Sequence, residues 1–329
     1  MKKPIKIGIM LVLLAVIILV TGLISGYAYN WNFNNGKKKY ESVVIIEKNS
    51  GVRVVLTQLG IKNKMLMRLY LRYRKIDNKL KAGNYQLSGE YTLNEIFEKF
   101  TKGDYEKVKV VVPEGFTLKQ IKNRLLENGL IDELKFDEEL QERRDFYYLP
   151  LDGNFEGFFF PDTYYISRTE NEGEIIDKFL NRFLEKYPVE KYRDKNDFYK
   201  RLIMASIVEK EAYFVDEKPI IASVFYNRIK KGIRLGSCAT VEYLYDYKKG
   251  KLYYKDLEIV SPYNTYKNKG LPPAPISNPG EKSIEAALNP ANTEYLFFVA
   301  DSTKRHTFSK EYKDHLKAKS EIESKKEGE

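Results

Sequence analysis

The sequence predicts an α+β protein in three parts: an N-terminal transmembrane helix, a small module of strand-turn-helix units, and a larger mixed α+β domain. Three observations carry this. An apolar run from Ile7 to about Ser25 is close to the roughly 20 residues that cross a bilayer as a helix. Between residues 43 and 130 a pattern of strand, glycine turn and helix recurs. Beyond it, helix-like and strand-like stretches are interrupted by a long proline-rich loop. The 329 residues leave room for two or three domains with real cores.

The apolar run follows Lys2, Lys3 and Lys6. A cleavable signal has a shorter apolar stretch, about 7 to 15 residues, and small residues before the cut. Here the run is longer, Gly26-Tyr-Ala-Tyr-Asn30 is a weak cleavage site, and no cysteine directly follows to carry a lipid. The positive-inside rule places the lysines in the cytoplasm. Residues 1–27 are therefore expected to form a cytoplasmic N-terminus and a single-pass signal anchor. Residues 7–25 would lie in the cytoplasmic (inner) membrane, with an extracytoplasmic body beyond.

Composition narrows the chemistry. There are 56 Lys and Arg against 46 Asp and Glu, a balance of +10 that suits a polyanionic partner. No basic stripe interleaved with aromatics stands out, so nucleic acid is not an expected partner. Cys238 is the only cysteine, so no intrachain disulfide can form. With only His306 and His315, a zinc site would need carboxylates as well; neither a metal nor a cofactor is expected. Cys238 and His306 could form a nucleophile-base pair, but no nucleophile signature surrounds Cys238. Glycine-rich phosphate loops and Gly-x-Ser-x-Gly elbows are absent.

Three units make up the small module. Val43-Val-Ile-Ile46 leads through Asn49-Ser-Gly51 into a helix ending near Leu59. Tyr85-Gln-Leu87 leads through Ser88-Gly89 into Thr92-Leu-Asn-Glu-Ile-Phe97. Val108-Lys-Val-Val-Val112 leads through Pro113-Glu-Gly115 into Thr117-Leu-Lys-Gln-Ile121. Thr92 with Glu95, and Thr117 with Gln120, fit the capping box, whose reciprocal side chains satisfy the first orphan amides of a helix. Units this small seldom bury a core alone, so they are expected to pack together as one α+β module over residues 40–131.

Residues 132–316 form the larger domain. A charged, helix-prone stretch runs to 150, followed by the aromatic block Asn154–Ile166 and an amphipathic helix near 173–187. Asp216 is a candidate N-cap for a later helix, with Pro219 in its first turn and Gly232 just past its end. Residues 261–280 read as an ordered loop rich in proline and polar side chains, a typical binding surface. Tyr295–Ala300 reads as a core strand, and Asp301 as a turn cap. The Lys/Glu-rich tail, 317–329, is expected to fray.

Within this domain Leu202-Ile-Met-Ala-Ser-Ile-Val208 is apolar nearly all round a helix, the mark of burial. Glu209 ends that run on the side of Phe198, Leu202 and Ala205. A desolvated carboxyl favours its protonated form, which a general acid needs near neutral pH; a solvated last turn with Lys210 and Glu211 is the alternative. Tyrosines, Asn264 and Thr265 in the 261–280 loop could stack on and bond to sugar rings, or serve only as turn residues. A hydrolase with two carboxylates would need Glu156, Asp162 or Asp301 within about 5 to 9.5 Å of Glu209.

Several motifs carry a resemblance. Ala205-Ser-Ile-Val-Glu-Lys-Glu-Ala212, Val224-Phe-Tyr-Asn-Arg228, Ser261-Pro-Tyr-Asn-Thr-Tyr266, Gly270-Leu-Pro-Pro, Ala286-Ala-Leu-Asn-Pro290 and Glu156-Gly-Phe-Phe-Phe-Pro-Asp-Thr-Tyr164 stand in the order found in the YceG-like (MltG) endolytic murein transglycosylases. The chain resembles that family from its anchor to about His306. The resemblance implies a membrane-anchored lyase acting on peptidoglycan glycan strands, with peptidoglycan synthases as candidate partners. It implies a LysM-like character for the small module. It maps the catalytic glutamate onto Glu209, with substrate contacts at Asn227, Ser237, Thr240, Tyr263, Asn264, Thr265, Tyr266 and Asn278, and Glu156, Asp162 and Glu211 as candidate supporting acids. A noncatalytic wall-binding protein and a hydrolytic glycosidase are the other readings. The chain departs from the family at Gly236-Ser-Cys-Ala-Thr240, where a Gln-(Ser/Thr)-Asp-Pro-Thr run is common, and at Lys304-Arg305, where a glycine pair is usual.

Overall fold

The computed structural model describes residues 3–103, 105–250 and 252–327. The chain divides into two compact units, Met1–Val108 with Ser167–Thr169, and Lys109–Ile166 with Glu170–Glu329. The smaller unit begins with α1 (Lys3–Asn35), about 50 Å long at 1.5 Å per residue. Met10–Asn35 is long and apolar enough to cross a membrane, and the large side chains from Met10 to Ile24 point outward. The helix continues past 27, because its last turns have a second task. Phe33 is 1% exposed in the unit's own core, its ring 4.9 Å from that of Tyr70.

The order after α1 is β1 (Lys38–Ile46), α2 (Val52–Gln58), α3 (Lys64–Tyr73), β2 (Gly83–Tyr91) and α4 (Leu93–Lys102). β1 and β2 pair antiparallel, from Lys38 opposite Tyr91 to Ile46 opposite Gly83. Strand alternation turns Tyr40, Val44, Ile46, Tyr85 and Leu87 inward, onto Val55, Leu56, Leu71, Phe97 and Phe100. The expected capping box opens α4, with Thr92 and Glu95 bonding to each other's backbone amides. Ser88-Gly89, by contrast, is not a turn. Both residues lie inside β2 opposite Glu41 and Tyr40, because β1 is long enough to need a partner as far as Tyr91. α3 occupies a stretch with no sequence assignment; Asn63 caps it, and Met67 and Leu71 are its buried side chains.

The third strand-turn-helix unit lies with the larger body. Its strand β3 (Val108–Val111) pairs with β4 (Thr163–Ile166). The turn at Gly115, with φ +77°, leads to the second capping box, Thr117 with Gln120, at the head of α5 (Leu118–Glu127). The division between units thus falls near 108, earlier than 131. The remaining helices are α6 (Glu133–Gln141), α7 (Glu172–Lys186), α8 (Lys195–Glu211), α9 (Lys218–Lys230), α10 (Cys238–Tyr243), α11 (Glu281–Leu288) and α12 (Tyr312–Glu327). β5 (Phe297–Ala300) and β6 (His306–Ser309) form an antiparallel hairpin.

The aromatic block supplies the core. Phe158 packs edge-on to Phe146 and Phe183, and Tyr148, Phe183 and Tyr187 surround Phe198 of α8. Such ring pairs add about 0.5–1.5 kcal/mol each beyond burial. α8 is buried without interruption from Leu202 to Val208, as its apolar sequence requires, and α11 packs along it. Three expectations change. Asp216 sits in a 3-10 turn, Val215–Glu217, and bonds Arg305 at 2.6 Å instead of capping α9, which Pro219 enters near its first residue. Tyr295–Ala300 contributes a half-exposed hairpin strand, not a core strand. The tail folds as α12, held where His315 stacks on Phe297 and the Tyr312 ring packs tilted against it.

Candidate active site

The end of α8 carries three consecutive charges, Glu209, Lys210 and Glu211. About 100° of helical rotation per residue separates them, and each meets a different neighbour. Glu209 turns toward the start of α11. Its Oε2 accepts from the Gly280 backbone N–H at 3.0 Å and from the Ser283 hydroxyl at 2.6 Å. Lys218 Nζ lies 3.2 and 3.3 Å from its two oxygens. The pair is nearly dry, with side chains 9% and 4% exposed. Glu114 is a second carboxylate 3.9 Å from Lys218; partial burial and then the charge of Glu209 raise its pKa. Lys210 packs its ammonium 3.8 Å from the centre of the Tyr247 ring and 3.4 Å from the Gly115 carbonyl. Burial lowers its pKa.

Glu211 faces α10 and the 261–266 loop. The Ser237 hydroxyl donates to its Oε1, and the Ala239 backbone amide also reaches the carboxylate. Desolvation raises its pKa, and these two donors together with the nearby His306 only partly oppose that. The residue nevertheless keeps part of its surface open to solvent. No cation is salt-bridged to it among the described residues. Its charge also acts on Arg228, Cys238, Tyr247 and Tyr266. Arg228 bonds the Leu235 and Leu296 carbonyls at 2.5 and 2.6 Å; burial lowers its pKa.

A buried hydroxyl network fixes this face. Ser237 N–H donates to Thr265 Oγ1 at 3.0 Å, the Thr240 and Thr265 hydroxyls are 2.9 Å apart, and Thr240 Oγ1 donates to the Ser237 carbonyl at 2.8 Å. Asn264 is wholly buried, its amide bonding the Leu257 and Ile259 carbonyls at 2.8 Å. Tyr266 is half-buried, and its hydroxyl lies 3.0 Å from Cys238 Sγ. Ser237, Thr240, Asn264, Thr265 and Tyr266 thus lie in one group, which meets Glu211 through the Ser237 hydroxyl.

The other sequence candidates lie apart from this group. Asn227 uses its amide on the Thr293 and Tyr295 carbonyls, at 2.8 and 3.1 Å. Asp162 bonds Arg182 at 2.7 Å. Asn278 and Tyr263 belong to a third carboxyl centre. Glu156, 4% exposed, accepts from Leu118 N–H at 2.9 Å and from Asn278 Nδ2 at 3.0 Å, with the Tyr243 hydroxyl 3.4 Å away. Burial pushes its pKa up to about 8. The Tyr263 ring packs 5.1 Å from Tyr243. Cys238 and His306 do not pair; His306 Nδ1 lies 2.7 Å from Glu217.

A model of the YceG-like family matches residues 44–321. The chain belongs to the YceG-like family. An endolytic murein transglycosylase of Bacillus subtilis is 34% identical over 317 residues, covering 90% of this chain and 85% of the relative. One of Streptococcus pneumoniae is 29% identical over 311 residues, or 81% of this chain and 55% of the relative, so the chain spans about half its length. The crystal structure of a YceG-like protein from Listeria monocytogenes is 35% identical with a TM-score of 0.54, over 85% of this chain and 100% of that chain. In this YceG-like chain, sequence reasoning passed over Lys218, Ser283 and Glu217. No spacing pointed to Lys218, whereas Arg228 stood in a quoted motif without being given a role.

Proposed function

We propose that the protein is a membrane-anchored lytic transglycosylase that cleaves the β-1,4 bond between N-acetylmuramic acid and N-acetylglucosamine within peptidoglycan strands. The relatives' activity supports the reaction, and the carboxyl of Glu211 carries the site. Its burial favours the protonated form, no cation is salt-bridged to it among the described residues, and it stays partly open beside Tyr266. Protonated Glu211 gives its proton to the glycosidic oxygen. The resulting carboxylate takes the proton of the muramic C6 hydroxyl, whose oxygen closes on C1 to leave a 1,6-anhydro end. One carboxyl serves both steps because the nucleophile belongs to the substrate. Ser237 and the Ala239 amide hold the carboxylate in place between them. Such acid-base assistance is worth about 10² to 10⁴-fold.

A second reading keeps Glu209 as the acid, as the motif first suggested; its three donors suit the carboxylate of the base step. The lysines ahead of the apolar run orient the N-terminus to the cytoplasm and the larger unit outside. The β1-α2-α3-β2 order of the smaller unit supports a LysM-like, glycan-holding role. Internal cleavage of nascent strands limits their length, which makes peptidoglycan synthases the natural partners.

Mass spectrometry of uncrosslinked glycan strands treated with the full-length protein tests the scheme. Products lighter by one water, lost with Glu211→Gln, are expected. Reducing ends would indicate a hydrolase. Intact strands from folded protein would leave only a wall-binding role. Loss with Glu209→Gln but not Glu211→Gln would move the acid to Glu209.

A further inference from the structure

Beside Tyr266 the larger unit opens a groove of about 690 Å³, lined by Arg234, Tyr254, Lys255, Leu257, Glu258, Tyr266 and Lys267. Lys267 and Glu258 neutralise each other at 2.6 Å. Arg234 and Lys255 are exposed, and neither has an ion-pair partner among the described residues. Tyr254 is 88% exposed, a large aromatic face with nothing packed over it. The groove is therefore cationic and aromatic, and Tyr266 is its wall toward Glu211: the Tyr266 phenol responds to the Glu211 charge and bonds Cys238, next to Ser237. A glycan strand at Glu211 would carry whatever hangs from its muramic acid into this groove. In peptidoglycan that substituent is the lactyl-linked stem peptide, whose free carboxylates match two unpaired cations, while a sugar or peptide face can lie on Tyr254.

We propose that this groove binds the anionic stem peptide, so that the enzyme selects peptide-bearing muramic acid over stripped glycan. The proposal rests on the transglycosylase reading, and its test reads binding so that the two can fail separately. Dissociation constants are measured for full-length Glu211→Gln protein in detergent. Two uncrosslinked strand preparations are used, one carrying stem peptides and one stripped of them by an amidase. Tighter binding of peptide-bearing strands is expected. Adding Arg234→Ala and Lys255→Ala should weaken that binding by up to about fivefold per cation removed and leave stripped-strand binding unchanged. Equal affinity for the two strands, or an equal loss on both, overturns the proposal. So does an anionic phosphodiester wall polymer that competes through the same two cations while stem peptides do not. Turnover by the wild type is followed in parallel: if it is absent while the binding difference holds, the reaction fails and the groove stands.

Discussion

Removing the Glu209 carboxylate leaves the Lys218 ammonium buried without its closest partner. Lys218 is 4% exposed and lies 3.2 Å from Glu209. Breaking a buried pair from one side costs about 3–5 kcal/mol, because the remaining charge is desolvated and uncompensated. Glu209 also accepts from Gly280 N–H and Ser283, and a stranded donor adds about 1–3 kcal/mol. Glu114 works the other way. At 3.9 Å and half-exposed, it can swing toward Lys218 and recover part of the loss. Glu209→Ala should therefore destabilise the larger unit by about 3–4 kcal/mol, and Glu209→Gln by less, since its amide oxygen still accepts. Pairing Glu209→Ala with Lys218→Met removes the orphaned charge and should restore at least half of the loss. Urea unfolding of the full-length proteins, with unchanged denaturant slope, reads this directly. Turnover per folded molecule should stay within about tenfold for Glu209→Gln, against the 10² to 10⁴-fold loss expected for Glu211→Gln. A Glu209→Ala protein as stable as the wild type, or a double variant worse than the sum of its singles, would refute the structural role.

Two other outcomes follow from buried groups. The folded protein holds the Glu156 proton up to about pH 8, against an ordinary 4.5. Its stabilising contribution is therefore full below about 4.5 and is lost as pH rises through about 8. At about 1.4 kcal/mol per pH unit, that window is worth at most about 5 kcal/mol. Glu156→Gln should flatten the fall in unfolding midpoint between about pH 5 and pH 8, and an unchanged slope would rule Glu156 out as its source. Gly157 has φ +95°, and a Cβ there would lie 2.8 Å from Pro275 Cγ and 3.2 Å from Leu202 Cδ2. Strain and overpacking make Gly157→Ala cost about 2–4 kcal/mol, read as a lower urea midpoint; an unaltered midpoint would contradict this packing.

Much of the fold was legible because local rules coincided with tertiary ones. The two Thr capping boxes, the apolar span of α1 and the buried face of α8 each depend on residues within a few positions of one another. What stayed hidden was decided across the chain. Ser88-Gly89 looks like a turn, yet lies in a strand because residues 38–41 need pairing partners. β3 looks like its two predecessors, yet pairs with β4. At the site, the hydroxyls of Ser237, Thr240 and Thr265, singled out by type, join in one hydrogen-bonded network. Which glutamate that network meets depends on a contact spanning 26 residues, from Ser237 to Glu211. Asn264 and Asn278 were polar loop residues in sequence and are buried braces in the fold, and no local periodicity separates those roles.

The Glu-Lys-Glu run at the end of α8 shows why apolarity alone could not rank the two acids. A buried helix desolvates carboxyls near its end, and the partners that each carboxyl finds across the chain then separate their roles. Glu209 has Lys218, the head of α11 and a serine hydroxyl. Glu211, about 200° round the helix, has hydroxyl and amide donors and an aromatic wall. The same rotation that removes Glu211 from the apolar stripe of Phe198 and Leu202 brings it to the Ser237 and Tyr266 face. Glu209, held through Gly280 and Ser283, fixes α8 against α11 and so sets the angle at which Glu211 meets that face. In the proposed scheme the anchoring carboxylate and the reacting one stand two residues apart because one helix end must be both clamped and aimed.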